Sequence, residues 1–347
     1  MAVTAVEYNA RESMLTAARM THNNEIIDVA EVLNETNDII SDAIVQRAND
    51  ITSHVVTRRS ALPAVSWVKV GNGWNATTGL TNQARETMGM LKARYHCPED
   101  VMRLQPNPAK YRMQQERAYI EAMGQELANT LVGNTASGAV SPTVAPPEEF
   151  AGFQYRYNTL GTSDTNYVIS NGNTASTPTD NTSIWFIQWK PGGVYLIHPR
   201  NTDGGGLKKQ DKGLQLVSGD SSVASTTATH LNPSLQLWAY LTEFSWDVGL
   251  CIEDQRCVKR LCNIDSVSTE TYTLNEDYII QIRNNFKGEA PTMYCNETVF
   301  TQLQILAKDK TNVHWTENNP FGKPQMYFLD MPIRRCDAIT NVEGAIS

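Results

Sequence analysis

The chain has 347 residues, of which 41% are hydrophobic, so it is long enough to bury a core and predicts two or three structural units. Its formal net charge of −8 argues against sequence-specific binding to DNA, because an acidic surface repels polyphosphate at neutral pH. No apolar run approaches about 20 residues, so the sequence predicts no membrane-spanning helix.

The N-terminal region, residues 1–59, is predicted to be an arm followed by a helix. Residues 1–24 are polar without a clear period, and the opening MAVTAVEYNARES has no apolar signal-peptide core. The next apolar positions fall mostly at helical spacing, which predicts a modest amphipathic helix before the main domain. These positions are Ile26, Ala30, Leu33, Ile40 and Ile44.

Residues 60–97 have the pattern of a long hairpin. Val65, Trp67 and Lys69 alternate as in a strand, and Gly71-Asn72-Gly73 indicates a turn. A more polar second strand is expected to return through residues 80–96. The segment has too few apolar residues for a core of its own and cannot bury Trp67 and Trp74 by itself, so it needs a partner surface.

The strongest local signal predicts one long helix from Pro108 to about Leu131. Asn107 is a good N-cap, Pro108 suits the first helical position and Gly133 supplies a stop. The apolar stripe comprises Tyr111, Tyr119, Ile120, Met123, Leu127 and Leu131. The wetter side comprises Gln114, Glu116, Arg117, Glu121 and Gln125.

A linker of residues 134–148 leads into a β-rich stretch. The candidate strands there are 183–189, 193–198 and 239–250. Residues 251–263 are expected to form a helix or turn that carries Arg256 and Arg260, and residues 298–307 another short helix. Strand-like residues 325–333 close the chain.

No motif in the sequence predicts catalysis, a metal or a cofactor. The Gly204-Gly205-Gly206 run lacks the phosphate-loop frame and is followed by no helical pattern, so a surface turn is favoured. His198 and His230 are not at a metal-binding spacing, and no nucleophile frame is present. Four Asn-x-Ser/Thr tripeptides are interpreted as chance matches, because no secretory signal precedes them. They begin at Asn34, Asn75, Asn181 and Asn296.

The six cysteines are predicted to be packed, reduced thiols of an intracellular protein. Their spacing does not form the paired C-x-x-C units of a structural zinc site, and no histidine lies near the central three in sequence. They are Cys97, Cys251, Cys257, Cys262, Cys295 and Cys336.

The order of these elements resembles the major capsid proteins of tailed bacteriophages with the Hong Kong 97-type fold. The similarity extends to motifs over about residues 25–340. The matching stretches are His54–Pro63, Ser66–Lys69, Phe150–Phe153 with Arg156-Tyr157, Ser183–Trp189, Pro199–Gly213, Asp254–Arg260 and Asn263–Asp265. Each stretch is weak alone, and their order along one chain carries the resemblance.

The resemblance implies an α+β fold with an N-terminal arm (1–59), an extended β-hairpin loop (60–97), a peripheral domain with a long spine helix (98–149 and 321–347) and a β-rich axial domain (150–320). It also implies a structural protein, not an enzyme. Such a protein self-assembles into pentamers and hexamers of an icosahedral head that encloses double-stranded DNA. The acidic balance of the chain suits such a container, which must not hold the genome tightly.

The resemblance further implies a virion protein that assembles in the host cytoplasm, with a portal protein, possible decoration proteins and non-specific contact with packaged DNA. Only about 25 residues precede the first helix, so a separate scaffolding protein is expected. No Lys, Asn and Glu set is nominated for an autocatalytic crosslink, and Lys69 and Lys92 are interpreted as surface charges. The expected inter-subunit residues are Arg58, Arg59, Trp67, Lys69, Trp74, Ile40 and Ile44.

Two alternative functions remain open at this point. One is an encapsulin-like compartment with the same fold, which would enclose a cargo enzyme. The other is a β-rich enzyme or carbohydrate-binding domain, because residues 150–260 alone could pass for one. The second leaves the polar arm, the hairpin and the long helix without a use. Electron microscopy of the purified protein discriminates among these functions.

Overall fold

The computed structural model describes residues 21–22, 25–26, 37–133, 148–161, 167–173, 180–202, 204–218, 236–266, 272–286, 288–309 and 326–346. No helix in these ranges is long and apolar enough to cross a membrane. The predicted linker, except Glu148, lies outside the described residues.

Strands dominate the described chain. In chain order they are β1 (Thr21–His22), β2 (Glu25–Ile26), β3 (Val45–Arg47), β4 (Ser53–Ala61), β5 (Leu80–Thr87), β6 (Gly89–Pro98), β7 (Val168–Ser170), β8 (Asn181–Ile187), β9 (Val194–His198), β10 (Leu207–Ser218), β11 (Gln236–Ile252), β12 (Val258–Asp265), β13 (Thr292–Cys295), β14 (Tyr327–Phe328) and β15 (Met331–Arg335). The α-helices are α1 (Asp38–Asp42), α2 (Glu99–Arg103), α3 (Pro108–Val132), α4 (Phe153–Arg156), α5 (Glu276–Asn285) and α6 (Glu297–Asp309).

The chain divides into two compact units. Unit 1 comprises residues 1–34, 91–124 and 207–246, and unit 2 comprises residues 35–90, 125–206 and 247–347. Helix α3 and strands β6 and β11 contribute residues to both units. The division of the sequence into arm, extended loop, peripheral domain and axial domain stays a prediction.

Helix α3 confirms the predicted long helix at both ends. The side chain of Asn107 accepts a hydrogen bond from the Lys110 N–H at 3.1 Å. Gly133 follows the last turn with φ of +88°, a conformation in which other residues are strained. The predicted faces need two corrections: Ile120 is 46% exposed, and Glu116 is buried.

Glu116 is buried because three partners in unit 1 satisfy its carboxylate. Arg112 donates from Nε at 2.9 Å, the Thr242 hydroxyl donates at 2.6 Å, and the Lys209 ammonium donates to the other oxygen. Asp211 balances the second cation, with its Oδ1 2.7 Å from Arg112 Nη2. A buried carboxylate is tolerated when it is paired and hydrogen-bonded in this way.

The core of unit 1 lies between strands and helix α3. β10 pairs antiparallel with β11 from Leu207↔Trp246 to Ser218↔Gln236, with a bulge between Asp211 and Gly213. The buried cluster comprises Tyr95, Cys97, Val101, Met102, Tyr111, Met123 and Phe244. Tyr119 stacks on Phe244 with ring centroids 6.2 Å apart, so the aromatic residues of the helix stripe anchor it to the sheet.

Unit 2 contains a six-stranded sheet in the order β14-β15-β13-β8-β12-β7. β7 pairs parallel with β12 and β13 pairs parallel with β15, whereas β8 runs antiparallel to both of its neighbours. Every residue of β8 and β12 is buried. A strand that is buried on both faces needs no polar alternation, which explains the continuous run Ile184–Ile187.

Helices α5 and α6 pack on this sheet through Ile279, Ile282, Val299 and Leu303. Both helices begin at an asparagine that caps them. Asn275 accepts from the Asp277 N–H at 3.0 Å, and Asn296 accepts from the Val299 N–H at 3.0 Å. Helix α6 confirms the short helix predicted at residues 298–307.

Other strand predictions are confirmed with shifted ends. The predicted strands 183–189, 193–198 and 239–250 correspond to β8, β9 and β11. Strands β14 and β15 replace the single closing strand, with a tight turn at Leu329 where φ is +55°.

The predicted N-terminal helix is wrong in extent. Among the described residues, only Asp38–Asp42 are helical in this region, and Ile44 lies beyond the helix, next to β3. Ile26 belongs to the short strand β2, and residues 27–36 lie outside the described chain. The apolar period therefore did not distinguish one helix from a helix between two strands.

The helix or turn predicted at residues 251–263 is confirmed only as a short turn that carries Arg256, and most of the segment is strand. β11 continues to Ile252, a short 3-10 turn occupies Gln255–Cys257, and β12 runs from Val258 to Asp265. The basic residues Lys259 and Arg260 obscured the strand in the sequence. Both are buried, and their environments are provided by distant segments.

Arg260 is buried in β12, and the C-terminal segment supplies its counter-ion, Glu343. Its Nη2 lies 2.9 Å from Oε2 of Glu343, its Nε donates to Ser183 Oγ at 3.0 Å, and its Nη1 donates to the Tyr157 carbonyl at 2.8 Å. The guanidinium also lies 4.8 Å from the Trp185 ring centroid. The tail is thus held in unit 2 by a buried charge pair.

The glycine run forms a turn, and the cysteines are packed inside the fold. Gly204–Gly206 form a 3-10 turn that leads into β10 and not into a helix. A side chain at Gly206 would overlap the Asp247 carbonyl oxygen, which explains the need for glycine there. All six cysteines are free and buried.

Candidate assembly surface

The extended loop is built on the antiparallel pair β4–β5 of unit 2, which runs from Ser53↔Thr87 to Ala61↔Leu80. The hairpin prediction is therefore confirmed, but its first strand was misplaced. Residues 65–69 lie beyond β4, in the connection. The turn is at the predicted position: the Asn72 N–H donates to the Lys69 carbonyl at 3.1 Å, and Gly71 has φ of +92°.

The connection, residues 62–79, displays apolar side chains to solvent. The relative exposure is 77% for Leu62, 93% for Val65, 104% for Trp67, 107% for Val70 and 78% for Trp74. Values near 100% mean that none of the described residues covers the side chain. Because exposed apolar side chains that lie together mark interaction sites, this loop is the candidate assembly surface.

The base of the loop is fixed by an ion cluster. Glu86, on β5, is buried and lies between two arginines. Arg58 Nη2 is 3.3 Å from Glu86 Oε1, and Arg156 Nη2 is 2.8 Å from Glu86 Oε2. The same arginines donate to the backbone carbonyls of Ile252 and Leu250. These bonds tie the hairpin to strand β11.

A second network holds the start of β4. The Asn49 side chain donates to the Val55 carbonyl at 2.8 Å and accepts from the Val55 N–H at 3.0 Å. His54 Nδ1 accepts from the Asn49 N–H at 3.1 Å, and its Nε2 lies 3.1 Å from the Tyr195 hydroxyl. Burial raises the pKa of Tyr195, so its hydroxyl stays protonated and donates to Glu253 at 3.3 Å.

The residues that the sequence nominated for inter-subunit contact occupy different environments. Trp67, Lys69 and Trp74 are exposed in the loop, and Arg59 is exposed on β4. Arg58 forms an ion pair with Glu86. Ile40 is half-buried on α1 and Ile44 is half-buried against the cluster that contains Val56 and Ile197. The structure places the first four on one hairpin, whereas Ile40 lies on α1 and Ile44 packs against the cluster at the start of β4.

Sequence reasoning missed Glu86 and the role of Arg156. Arg156-Tyr157 was one of the motifs that resemble capsid proteins, but the motif did not indicate which residue Arg156 contacts. Glu86 gave none, because a glutamate in a polar strand looks like a solvated side chain. Its burial depends on Arg58 and Arg156, which are 28 and 70 positions away.

The described cavities offer no obvious chemistry. A cavity of about 410 Å³ beside the loop base is lined by Arg58, Arg156, Tyr157 and Tyr167, whose arginines are already paired with Glu86. Within the described residues, no group of three or more His, Cys, Asp or Glu side chains is placed to hold a metal ion.

Comparison with known proteins decides the family. The sequence profile of the family described as "Major capsid protein GP7" matches residues 21–347. The chain belongs to this capsid protein family. It is the structural major capsid protein of a tailed phage, a component of the virion that assembles into a multimeric shell.

The fold of this capsid protein is the Hong Kong 97-type fold. A chain from the structure of bacteriophage Epsilon15 is 26% identical, with a TM-score of 0.70, and the match covers 99% of each chain. The comparison with curated proteins found no match.

More distant capsid structures also match. The bacteriophage JBD30 capsid is 10% identical with a TM-score of 0.44 and covers 89% of this chain and 93% of its own. The SrpI encapsulin of Synechococcus elongatus PCC 7942 is 12% identical with a TM-score of 0.42 and covers 74% of this chain and 98% of its own.

Proposed function

We propose that this capsid protein forms the pentamers and hexamers of an icosahedral head around packaged double-stranded DNA. Its role is structural and involves no catalysis. Assembly takes place in the host cytoplasm with a separate scaffolding protein and a portal protein, and decoration proteins can bind the finished shell. The observation that carries the proposal is the extended loop, whose apolar side chains are left uncovered by the described part of the chain.

The loop is the arm by which one subunit holds its neighbours. A stable interface generally buries about 800 Å² per partner, and a hairpin with two exposed tryptophans can supply much of that area. Trp67 and Trp74 are the expected anchors, because aromatic side chains dominate the binding energy of interfaces. Arg59 and Lys69 add charged contacts at the rim.

The fixed base makes the arm effective. Glu86, Arg58 and Arg156 hold the hairpin to unit 2, so its direction is set before a neighbour binds. Preorganisation of this kind lowers the entropy lost on association. Ile40 and Ile44 are proposed as further contact residues beside the arm.

The direct test shortens the arm and leaves its base intact. Replacing residues 62–79 by Asn-Gly closes β4 onto β5 at the existing pair Ala61↔Leu80 with a two-residue hairpin turn. Glu86 and its partners are retained. We expect an unchanged circular dichroism spectrum, together with loss of shells in light scattering and electron microscopy. Closed shells of normal size from this variant would overturn the arm's role.

Point variants separate the tryptophans from the rest of the loop. Trp67→Ser combined with Trp74→Ser is expected to leave the subunit folded and reduce shell yield at least tenfold, since an interface anchor contributes on the order of 2 kcal/mol. Asn75→Ala, an exposed polar site in the same loop, is the matched control and should assemble normally. Equal yields from the double variant and the control would exclude the tryptophans as anchors.

A further inference from the structure

One face of the unit 1 sheet carries an unusual concentration of cations. Strand β6 buries Tyr95 and Cys97 against helix α3, with Leu91 and Ala93 packed beside them. Side chains alternate along a strand, so Lys92 and Arg94 lie on the opposite face. Both are exposed.

The neighbouring strands add to the same face. Lys208 pairs with Ser245 and Gln210 pairs with Glu243 across β10 and β11. Paired residues in an antiparallel sheet share a face. Lys212, at the bulge, reaches the same side, since its Nζ is 2.7 Å from Gln210 Oε1 and 3.6 Å from Glu243 Oε2. We name Lys92, Arg94, Lys208 and Lys212, with Glu243 between them, the basic face.

The charges on the basic face are only partly balanced. Glu243 is the counter-ion of two cations, since its Oε1 is 2.6 Å from Arg94 Nη2 and its Oε2 is 3.6 Å from Lys212 Nζ. The hydrogen bond from Arg94 lowers the pKa of Glu243, so the group stays ionised. Among the described residues, Lys92 and Lys208 have no carboxylate partner. This contrasts with Lys209 on the opposite face, which is paired with Glu116.

We propose that the basic face contacts the phosphate backbone of the packaged double-stranded DNA. This inference rests on the proposed function and adds the surface involved. A patch with four cations and one carboxylate stands out in a chain whose formal net charge is −8. Long, exposed and unpaired lysines suit sequence-independent phosphate contact, which needs charge and not bidentate geometry.

The dimensions of the face agree with this partner. Three strands about 4.8 Å apart, with same-face residues about 6.8 Å apart along each, spread the cations over roughly 10 by 15 Å. One strand of DNA carries a charge about every 3.4 Å along the helix axis, so the face spans several phosphates. Few contacts per subunit give weak binding, which is compatible with release of the genome.

The test measures binding of labelled double-stranded DNA to the full-length chain over a series of salt concentrations. Lys92→Gln combined with Lys208→Gln should weaken binding and lower the slope of log K against log salt by about 1.8, because each lost phosphate contact contributes about 0.9. Glu243→Gln should strengthen binding. Arg117→Gln removes an exposed cation from helix α3, outside the basic face, and should change neither quantity.

Shell formation is scored separately by electron microscopy, so that failure of this inference is distinct from failure of the proposed function. Normal shells with weaker DNA binding in the double lysine variant support the inference. Wild-type affinity and slope in that variant overturn it. If DNA binding is unchanged but shells are lost, the basic face is a contact with another subunit or an acidic protein, which also overturns it.

Discussion

At the scale of single residues, the pair of Arg260 and Glu343 shows how the fold depends on its last residues. Both side chains are almost completely buried, and Ser183 and the Tyr157 carbonyl accept hydrogen bonds from the other two guanidinium nitrogens of Arg260. Removing one partner of such a pair leaves a charge buried without compensation. The C-terminal segment is therefore part of the core of unit 2.

Glu343→Gln is expected to destabilise the subunit by about 3–5 kcal/mol, because Arg260 would lose its counter-ion in a dry environment. Urea unfolding followed by tryptophan fluorescence measures the change. Asp330→Asn is the matched control, since its bond to Arg283 lies at the surface and should cost under about 1 kcal/mol. Similar losses in the two variants would contradict the assignment.

The cysteines should be inert in the native subunit. Burial raises the pKa of Cys262, Cys295 and Cys336 to about 12 and that of Cys251 to about 11. Only the thiolate reacts, so iodoacetamide at pH 8 should label native protein slowly and label all six thiols in denaturant. Mass spectrometry counts the adducts, and non-reducing gels of alkylated shells should show no covalent ladder. Rapid native labelling or a reductant-sensitive ladder would disprove the prediction.

The residues of the assembly surface were predictable to different degrees. Trp67 and Trp74 were identified from the sequence because a thin hairpin cannot bury an indole ring. Glu86 was not identifiable, since its environment forms only when Arg58 and Arg156 converge on it. Local pattern thus reveals residues that face outward, whereas a buried charge is defined by distant partners.

At the scale of elements, the Glu116 cluster couples helix α3 to strands β10 and β11. Burial raises the pKa of Glu116, but hydrogen bonds from Lys209 and Thr242 and the charges of Lys209 and Arg112 outweigh it, so the pKa is lowered from 4.5. A carboxyl group whose pKa is lowered by folding stabilises the fold fully when the pH is above the pKa that the group has in the unfolded chain. That contribution is lost as the pH falls through the folded value.

Glu116→Gln should therefore destabilise the subunit by about 1–3 kcal/mol at pH 7, because it removes the carboxylate that accepts hydrogen bonds from Arg112, Lys209 and Thr242. The difference from wild type should shrink at acidic pH, as the pH falls below the lowered pKa of Glu116 and the wild-type carboxyl group is also neutralised. Chemical denaturation at both pH values measures it. Glu121→Gln on the same helix is the control, and a pH-independent difference for Glu116→Gln would contradict the mechanism.

The apolar face of helix α3 gives a second test at this scale. Met123→Asp places a charge in the buried cluster of unit 1 and should cost several kcal/mol, with loss of soluble subunit. Met113→Asp changes the same residue type on the same helix at a site that is 66% exposed, and it should behave as wild type. Wild-type solubility and melting of Met123→Asp would contradict the packing.

Elements were predictable where the signal is local. Helix α3 carries its cap at Asn107, its stop at Gly133 and its apolar stripe within one segment. Strand β12 was missed because Arg256 and Arg260 suggested a helix or turn, although Trp185 and Glu343 allow Arg260 to lie in a buried strand. The first strand of the hairpin was misplaced because residues 65–69 alternate without a partner strand, and pairing decides which residues form a sheet.

At the scale of the whole molecule, each unit has its own core, and the extended loop of unit 2 remains uncovered. We expect other copies of this chain to cover Val65, Trp67 and Val70, which are fully exposed in the single subunit. Membership of the major capsid protein family accounts for this surface, since a shell subunit meets several neighbours. The fold class was predictable from the sequence because the motifs that resemble capsid proteins follow one another in order over about residues 25–340.

Cryo-electron microscopy of particles from cells that produce the full chain together with the proposed scaffolding protein tests most directly whether the extended loop is an assembly arm. We expect closed icosahedral shells of pentamers and hexamers in which residues 62–79 of each subunit lie on a neighbouring subunit and bury Trp67 and Trp74. Soluble monomers without shells, or shells in which this loop remains exposed to solvent, would contradict it.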